Sequence, residues 1–295
     1  MLFGSRFNIF NRVTFLILSL CLSFSVQADP AIWEIKGEKN SVYLFGSIHV
    51  ANQSMYPLGN TVDAAFKSSN VLVVEVDEAR VDQVKLQELL MSKGFYAGTE
   101  TIKDHVNADT LQLLHKFLND TGIPYVTVAR MKPGIIALTL TVAKVIKMGY
   151  SPELGIDRHF MEKARGKKEI QQLETTEDQM NLLLSFSDDN LLLKHTLISL
   201  DKLEEMITSL MQAWKSGNET VMEKLMITDQ LKEYPEFKDI MKRLIDDRNI
   251  TMAINIEQML NDDKNYFVVV GAGHLIGKKG IVSLLQKKGL PLKRL

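Results

Sequence analysis

The chain has 295 residues, with 35 basic against 36 acidic side chains and a single cysteine. So even a balance gives no basic surface for nucleic acid or anionic lipid, and no nucleic-acid partner is expected. One cysteine excludes an internal disulfide framework.

In chain order, Arg6 and Arg12 precede an apolar run over 13–26, the pattern of a secretory signal peptide, with cleavage expected after Ala28. The alternative is an uncleaved anchor, which would be the chain's only attachment to a membrane. Cys21 follows Leu20 rather than a small residue, which argues against lipid attachment. Cleavage removes two arginines, the cysteine and no acid, leaving 33 basic against 36 acidic side chains. The expected compartment is the periplasm, whose oxidising conditions suit a chain without thiols. Roughly 265 residues then remain, enough for one α/β domain over 29–295 with its own core.

Two short runs, 32–35 and 41–45, read as a hairpin turning through 37–40. Residues 71–76 are nearly all apolar, the mark of a strand covered on both faces. Helical periodicity marks 81–92, 107–120, 133–148 and 152–165, and the run 134–144 reads as a buried helix. Residues 168–173 form another strand, followed by a capping-box start at Thr176 and Gln179. From 188 to 262 strand signals almost vanish. A long helix after Pro235 places Met241, Leu244, Ile245, Met252, Ile256 and Met259 on one stripe. A strand at 266–270, a glycine turn and a helix to about 288 close the chain. Strands interleaved with helices predict an α/β fold: a mostly parallel sheet flanked by helices, with a large helical insertion at 188–262 before the C-terminal strand.

One pattern recurs. An apolar strand, a glycine, two residues and a histidine occur at Gly46–His49 and again at Gly271–His274. Both histidines should stand at strand ends, where open α/β sheets place their ligands. Alone, each could equally be a helix-capping or core-edge residue. His105, His115, His159 and His195 lack this context and read as structural. Glu75 interrupts the strand at 71–76 and shares a face with Val71 and Val73. A carboxylate there needs a cation, a metal or several donors, unless the strand frays and it reaches water. Asp77 is its rival. Two histidines and a carboxylate leave a divalent metal an open position for water, as catalytic sites require. Such a nitrogen and oxygen set suits several ions, zinc among them.

Arg248 falls on the apolar stripe, facing the core or a cleft, and wants a carboxylate. It is either a structural ion pair or a substrate clamp, with Asn249 at the stripe's edge. Glu174, at the end of the 168–173 strand, is a candidate base or further ligand. Asp157 and Arg130 are weaker candidates, Asp157 as a local cap. Gly271 and Gly273 lack the rest of a phosphate-binding loop, so no nucleotide is expected.

The segments 44–50 and 271–281 resemble the paired histidine motifs of the TraB/PrgY/GumN family, related to the Tiki peptidases. Glu75 with Asp77, Asp157, Glu174 and the pair Arg248 and Asn249 match its intermediate landmarks. The resemblance implies a fold similar to erythromycin-esterase-like and ChaN-like proteins. It also implies a metal held by His49, His274 and Glu75, with manganese or cobalt favoured. Tiki members are proposed metal-dependent peptidases, TraB and PrgY members damp peptide pheromone signalling, and GumN is tied to polysaccharide gene clusters. The expected function is therefore an exported metal-dependent hydrolase, cleaving peptides or another small substrate, with Glu75, Glu174 and Arg248 in catalysis. The alternative is a non-enzymatic protein that sequesters a peptide or small ligand. Haem handling, by analogy with ChaN-like proteins, is a third.

Overall fold

A computed structural model describes residues 29–295; the signal segment expected over 1–28 lies outside them. Strands β1 (Ile32–Lys36) and β2 (Ser41–Ser47) form the expected antiparallel hairpin, with Ile32 opposite Phe45. Then come β3 (Val71–Val74), β4 (Glu169–Gln172), β5 (Tyr266–Gly271) and β6 (Leu292–Arg294). They make one six-stranded sheet in the order β4-β3-β5-β2-β1-β6. The run β4, β3, β5, β2 is parallel; β1 and β6 are antiparallel additions at one side. Strand β6 is an addition to the expected elements, a three-residue edge strand too short for a periodicity signal.

The main helices are α1 (Asn60–Ser68), α2 (Gln83–Lys93), α3 (Ala108–Thr121), α4 (Pro133–Lys147), α5 (Ile156–Ala164), α6 (Thr176–Leu184), α7 (Asp189–Lys215), α8 (Asp247–Gln258) and α9 (Ile281–Lys287). Both faces of the sheet are covered, which explains the continuous apolar runs of β3 and β5. On one face Phe45, Leu72, Val74 and Phe267 pack under α1, α5 and the end of α7. On the other, Leu44, Val71, Val73 and Val268 pack under α8 and α9. A third apolar cluster joins α3, α4 and the first half of α7. The buried Trp214 of α7 ties the helical segment to the sheet, its Nε1–H donating to the Gly46 carbonyl at 2.8 Å. Among the described residues no helix is long and apolar enough to cross a membrane.

Several expectations need correction. The strand at 71–76 ends at Val74, so Glu75 stands just past it. The helix expected over 152–165 splits into a 3-10 turn, Pro152–Leu154, and α5. The capping box before α6 uses Thr175 and Asp178, not Thr176 and Gln179. Helix α4 buries only one side, leaving Leu138, Val142 and Ile146 exposed at four-residue spacing. The helix after Pro235 is broken by a π turn, Lys242–Asp246. That turn adds a residue to the repeat and shifts the phase. Beyond the turn the buried positions are consequently Asn249, Met252, Ala253 and Ile256, while Met241, Leu244 and Ile245 are only partly covered.

Candidate functional site

The parallel strands β3, β5 and β2 end side by side, and their carboxyl ends carry the site. Register places Ser47 of β2 beside Gly271 of β5, so the two similar segments are neighbours in space. After Ser47 the chain is pinned to the loop before α5: Ile156 N–H donates to the Ile48 carbonyl, and Ala51 bridges Ser151. This brings Asp157, in the first turn of α5, against His49, whose Nδ1 lies 3.1 Å from the Asp157 carboxylate. After Gly271 the chain makes one helical turn, Ala272–Leu275, which buries His274. Its Nδ1 meets Asn249 Oδ1 at 2.6 Å, and Asn249 Nδ2 donates to the Lys279 carbonyl. The Asn249 oxygen can only accept, so His274 carries its proton on Nδ1 and its Nε2 is a bare lone pair.

Glu75 and both rings border one point beside Gly271. Glu75 is 7 % exposed, so the frayed-strand alternative fails: the residue stands at a strand end yet is buried. Glu75 Oε1 accepts from Gly271 N–H at 2.5 Å and lies 3.7 Å from His274 Nε2. Its Oε2 accepts from Arg248 Nη2 at 2.8 Å and from Gln179 Nε2 at 3.3 Å. A Cβ on Gly271 would sit 3.2 Å from Glu75 Oε1 and 3.7 Å from His49 Nε2, with His274 Cδ2 at 3.6 Å. Only glycine leaves that point open. As placed, no three acidic or imidazole groups among the described residues stand close enough to enclose an ion. The cleft in front of them, about 490 Å³, is walled by Ser47, Val81, Leu86 and Asp157.

Arg248 and Glu174 stand beside Glu75, joined to each other and to Gln179. Glu174 receives Arg248 Nε at 2.8 Å and Nη2 at 2.6 Å, and Gln179 Nε2 at 2.9 Å. Arg248 Nη1 donates to the Leu244 carbonyl. The remaining candidates stay outside. Asp77 caps the turn at Ala79 and pairs with Arg80. Arg130 binds the Tyr96 carbonyl. His105 stacks on Tyr96, His115 leans on Tyr125, His159 on Tyr56, and His195 meets Phe237 edge-on.

The profile of the TraB/PrgY/gumN family matches residues 31–294, a span that includes every residue of this cluster. The chain belongs to that family. A relative by sequence, an uncharacterized protein of Treponema pallidum (strain Nichols), is 21 % identical over 295 aligned positions, covering 92 % of this chain and 87 % of that protein. No solved structure matches.

In this TraB-family chain the cluster is strongly biased electrostatically. Burial opposes the charge on Glu75, but in the acidic range where a carboxylate titrates His274 and His49 take up protons, and with Arg248 and the Gly271 N–H they hold its pKa below the ordinary value. Burial lowers the pKa of His274, against the pull of Glu75, and keeps the ring neutral above that range. His49 goes the other way. Its hydrogen bond to Asp157 outweighs desolvation and raises its pKa to about 9. The His49 ring is 62 % exposed at the cleft wall, so this side chain alone of the three is open to solvent.

Three residues have a larger part in the site than their sequence context signals. Asp157 serves a histidine 108 positions away rather than a local turn. Asn249 is 1 % exposed at the centre of the buried stripe, and its polarity inside that stripe was the available signal. Gln179 spans both glutamates, a role hidden by its resemblance to a cap.

Proposed function

We propose that the chain is a metal-dependent hydrolase, acting on a peptide or a similarly small substrate, with His49, His274 and Glu75 as the ligands. The observation that supports this most is the orientation of the two histidines. Each ring engages an oxygen through Nδ1, from Asp157 or Asn249, leaving Nε2 turned toward Glu75. Metal-binding histidines are held in this way, because the outer hydrogen bond selects the tautomer and raises ligand basicity. His274 Nε2 in particular is buried, neutral and 3.7 Å from a carboxylate oxygen, too far for a hydrogen bond. The chemistry of this donor set suits a divalent ion of mixed nitrogen and oxygen preference, such as manganese, cobalt or zinc. When bound, such an ion supplies Lewis acidity for activating water and a scissile carbonyl.

The chain's own groups divide the remaining work. Four of the five guanidinium N–H groups of Arg248 are committed to Glu75, Glu174 and Leu244, leaving one for a substrate oxygen. Arg248 thus acts chiefly by holding Glu75 in place. Both Glu174 oxygens receive Arg248, so Glu174 serves as the anchor of that clamp rather than as a free base or further ligand. His49, open to the cleft, is placed to exchange its proton when a ligand or substrate arrives. The cleft takes a short peptide segment and is too small for a folded protein. Export through the 1–28 segment to the periplasm belongs to the same reading.

The decisive experiment is elemental analysis with calorimetric titration of manganese, cobalt and zinc into the protein, His49→Ala and His274→Ala. Binding by the parent and its loss in both variants, with thermal stability retained, is the expected result. Equal binding by all three sinks the site. A second reading, sequestration without turnover, is favoured by one feature: Arg248 already neutralises Glu75 without any ion. A peptide library incubated with each metal separates the two, since saturable binding without cleavage supports sequestration.

A further inference from the structure

Behind His274, on the side away from Glu75, is a separate cavity of about 270 Å³. Two π turns border it: Lys224–Thr228 contributes Ile227, and Lys242–Asp246 contributes Ile245 and Asp246. Such turns are rare and tend to occur at functional sites. Leu231, Met241 and Ile276 complete an apolar lining. The rim is charged. Asp246 is matched by Lys279 at 2.5 Å, and Glu223 lies against Gly277. Lys238 and Lys278 have no acidic partner among the described residues, which leaves the rim with an excess of positive charge. Asn249 forms part of the wall, and its side chain holds both His274 and the Lys279 carbonyl.

Size narrows the occupant. An apolar cavity of ~150 Å³ accepts benzene, so this one has room for a longer hydrocarbon yet not for a nucleotide or an extended peptide. We propose that the cavity is a second binding site, for an aliphatic carboxylate of about six to eight carbons, the room that such a volume provides. The chain lies among Ile227, Leu231, Met241, Ile245 and Ile276, and the carboxylate meets Lys238 and Lys278. Two sources share this chemistry: a free medium-chain acid, and the C-terminal aliphatic residue of a peptide. An occupant touching Asn249 acts on the hydrogen bond that orients His274, so the site is coupled to the histidine without depending on any metal.

The test uses the whole protein without added metal. Octanoate and N-acetyl-leucine are titrated separately, followed by calorimetry and by the NMR signals of the His274 ring. At least one should bind saturably with one-to-one stoichiometry and shift those signals; the tighter of the two identifies the source. N-acetyl-leucinamide, which lacks the charge, should bind about tenfold more weakly, as loss of one charge-assisted contact implies. The double variant Lys238→Gln, Lys278→Gln should weaken the acids by a similar factor at unchanged thermal stability, and Ile245→Trp, which fills the cavity, should abolish binding. The proposal is overturned if neither acid saturates. It is equally overturned if the lysine substitutions leave affinity unchanged, or if His49→Ala removes binding while Ile245→Trp does not.

Discussion

Replacing Arg248 by methionine isolates the electrostatics of the cluster from its chemistry. The substitution keeps most of the side-chain volume and deletes the one cation that, among the described residues, touches both Glu75 and Glu174, whose side chains are 8 % and 15 % exposed. Removing one partner of a buried ion pair costs about 3–5 kcal/mol, because the surviving carboxylates lose the counter-ion they share and are largely cut off from water. For a chain of this size that corresponds to a fall in Tm of roughly 10 °C. The pH dependence should change as well. In the parent, Glu75 has a depressed pKa, so its contribution is present at neutral pH and lost as pH falls through the folded value. In Arg248→Met, burial without the guanidinium should raise the Glu75 folded pKa above the unfolded one, and stability should instead rise as pH falls from 7 to 5. Thermal melts across that range, with Glu174→Gln added as a partial rescue, provide the measurement. A variant melting within 2 °C of the parent, or with an unchanged pH slope, would refute the claim that Arg248 compensates two buried charges.

Asn249→Ala and Asp157→Ala each remove the oxygen that orients a histidine, and should weaken divalent binding about 10–100-fold by calorimetry while leaving both rings present. Gly271→Ala places a methyl 3.2 Å from Glu75 Oε1; the same titration should show weaker binding than the parent, and an undiminished affinity would mean that the open point beside Gly271 is not used. Far from the site, burial lowers the His195 pKa to about 4, and its Nε2 has no hydrogen-bond partner. The unfolded chain takes up that proton near pH 6.5, so stability should fall by about 3 kcal/mol between pH 6.5 and 4, and His195→Leu should flatten that slope in urea melts. Trp214→Phe strands the Gly46 carbonyl in the core and should cost about 1–3 kcal/mol, read by the same melts.

Much of the architecture was legible because the strands are covered on both faces and their residues are almost uniformly apolar. The convergence of His49 and His274 followed from two matching segments, each ending a strand. Less local features were hidden. Regular helical phase through Lys242–Asp246 puts Arg248 on the buried stripe, but the π turn there shifts that stripe onto Asn249. Arg248 still faces inward because two carboxylates draw it, a long-range attraction that periodicity does not record. Asp157 looked like a cap because its partner is 108 residues away, and only the pinning of 48–51 to 151–156 joins them. The edge strand β6 gains its order from pairing with β1, not from its own three residues.

The place of β5 in the sheet has a consequence for how the molecule is made. It is the last of the four parallel strands to leave the ribosome, yet it occupies the middle, with β3 on one side and β2 on the other. Until it arrives, the hairpin and the β3–β4 pair are two unfinished fragments, each with an open hydrogen-bonding edge. A nascent chain stopped before Tyr266 therefore holds His49, Glu75 and Arg248 without a scaffold to gather them. The keystone comes last, and folding of the sheet and birth of the site are one event.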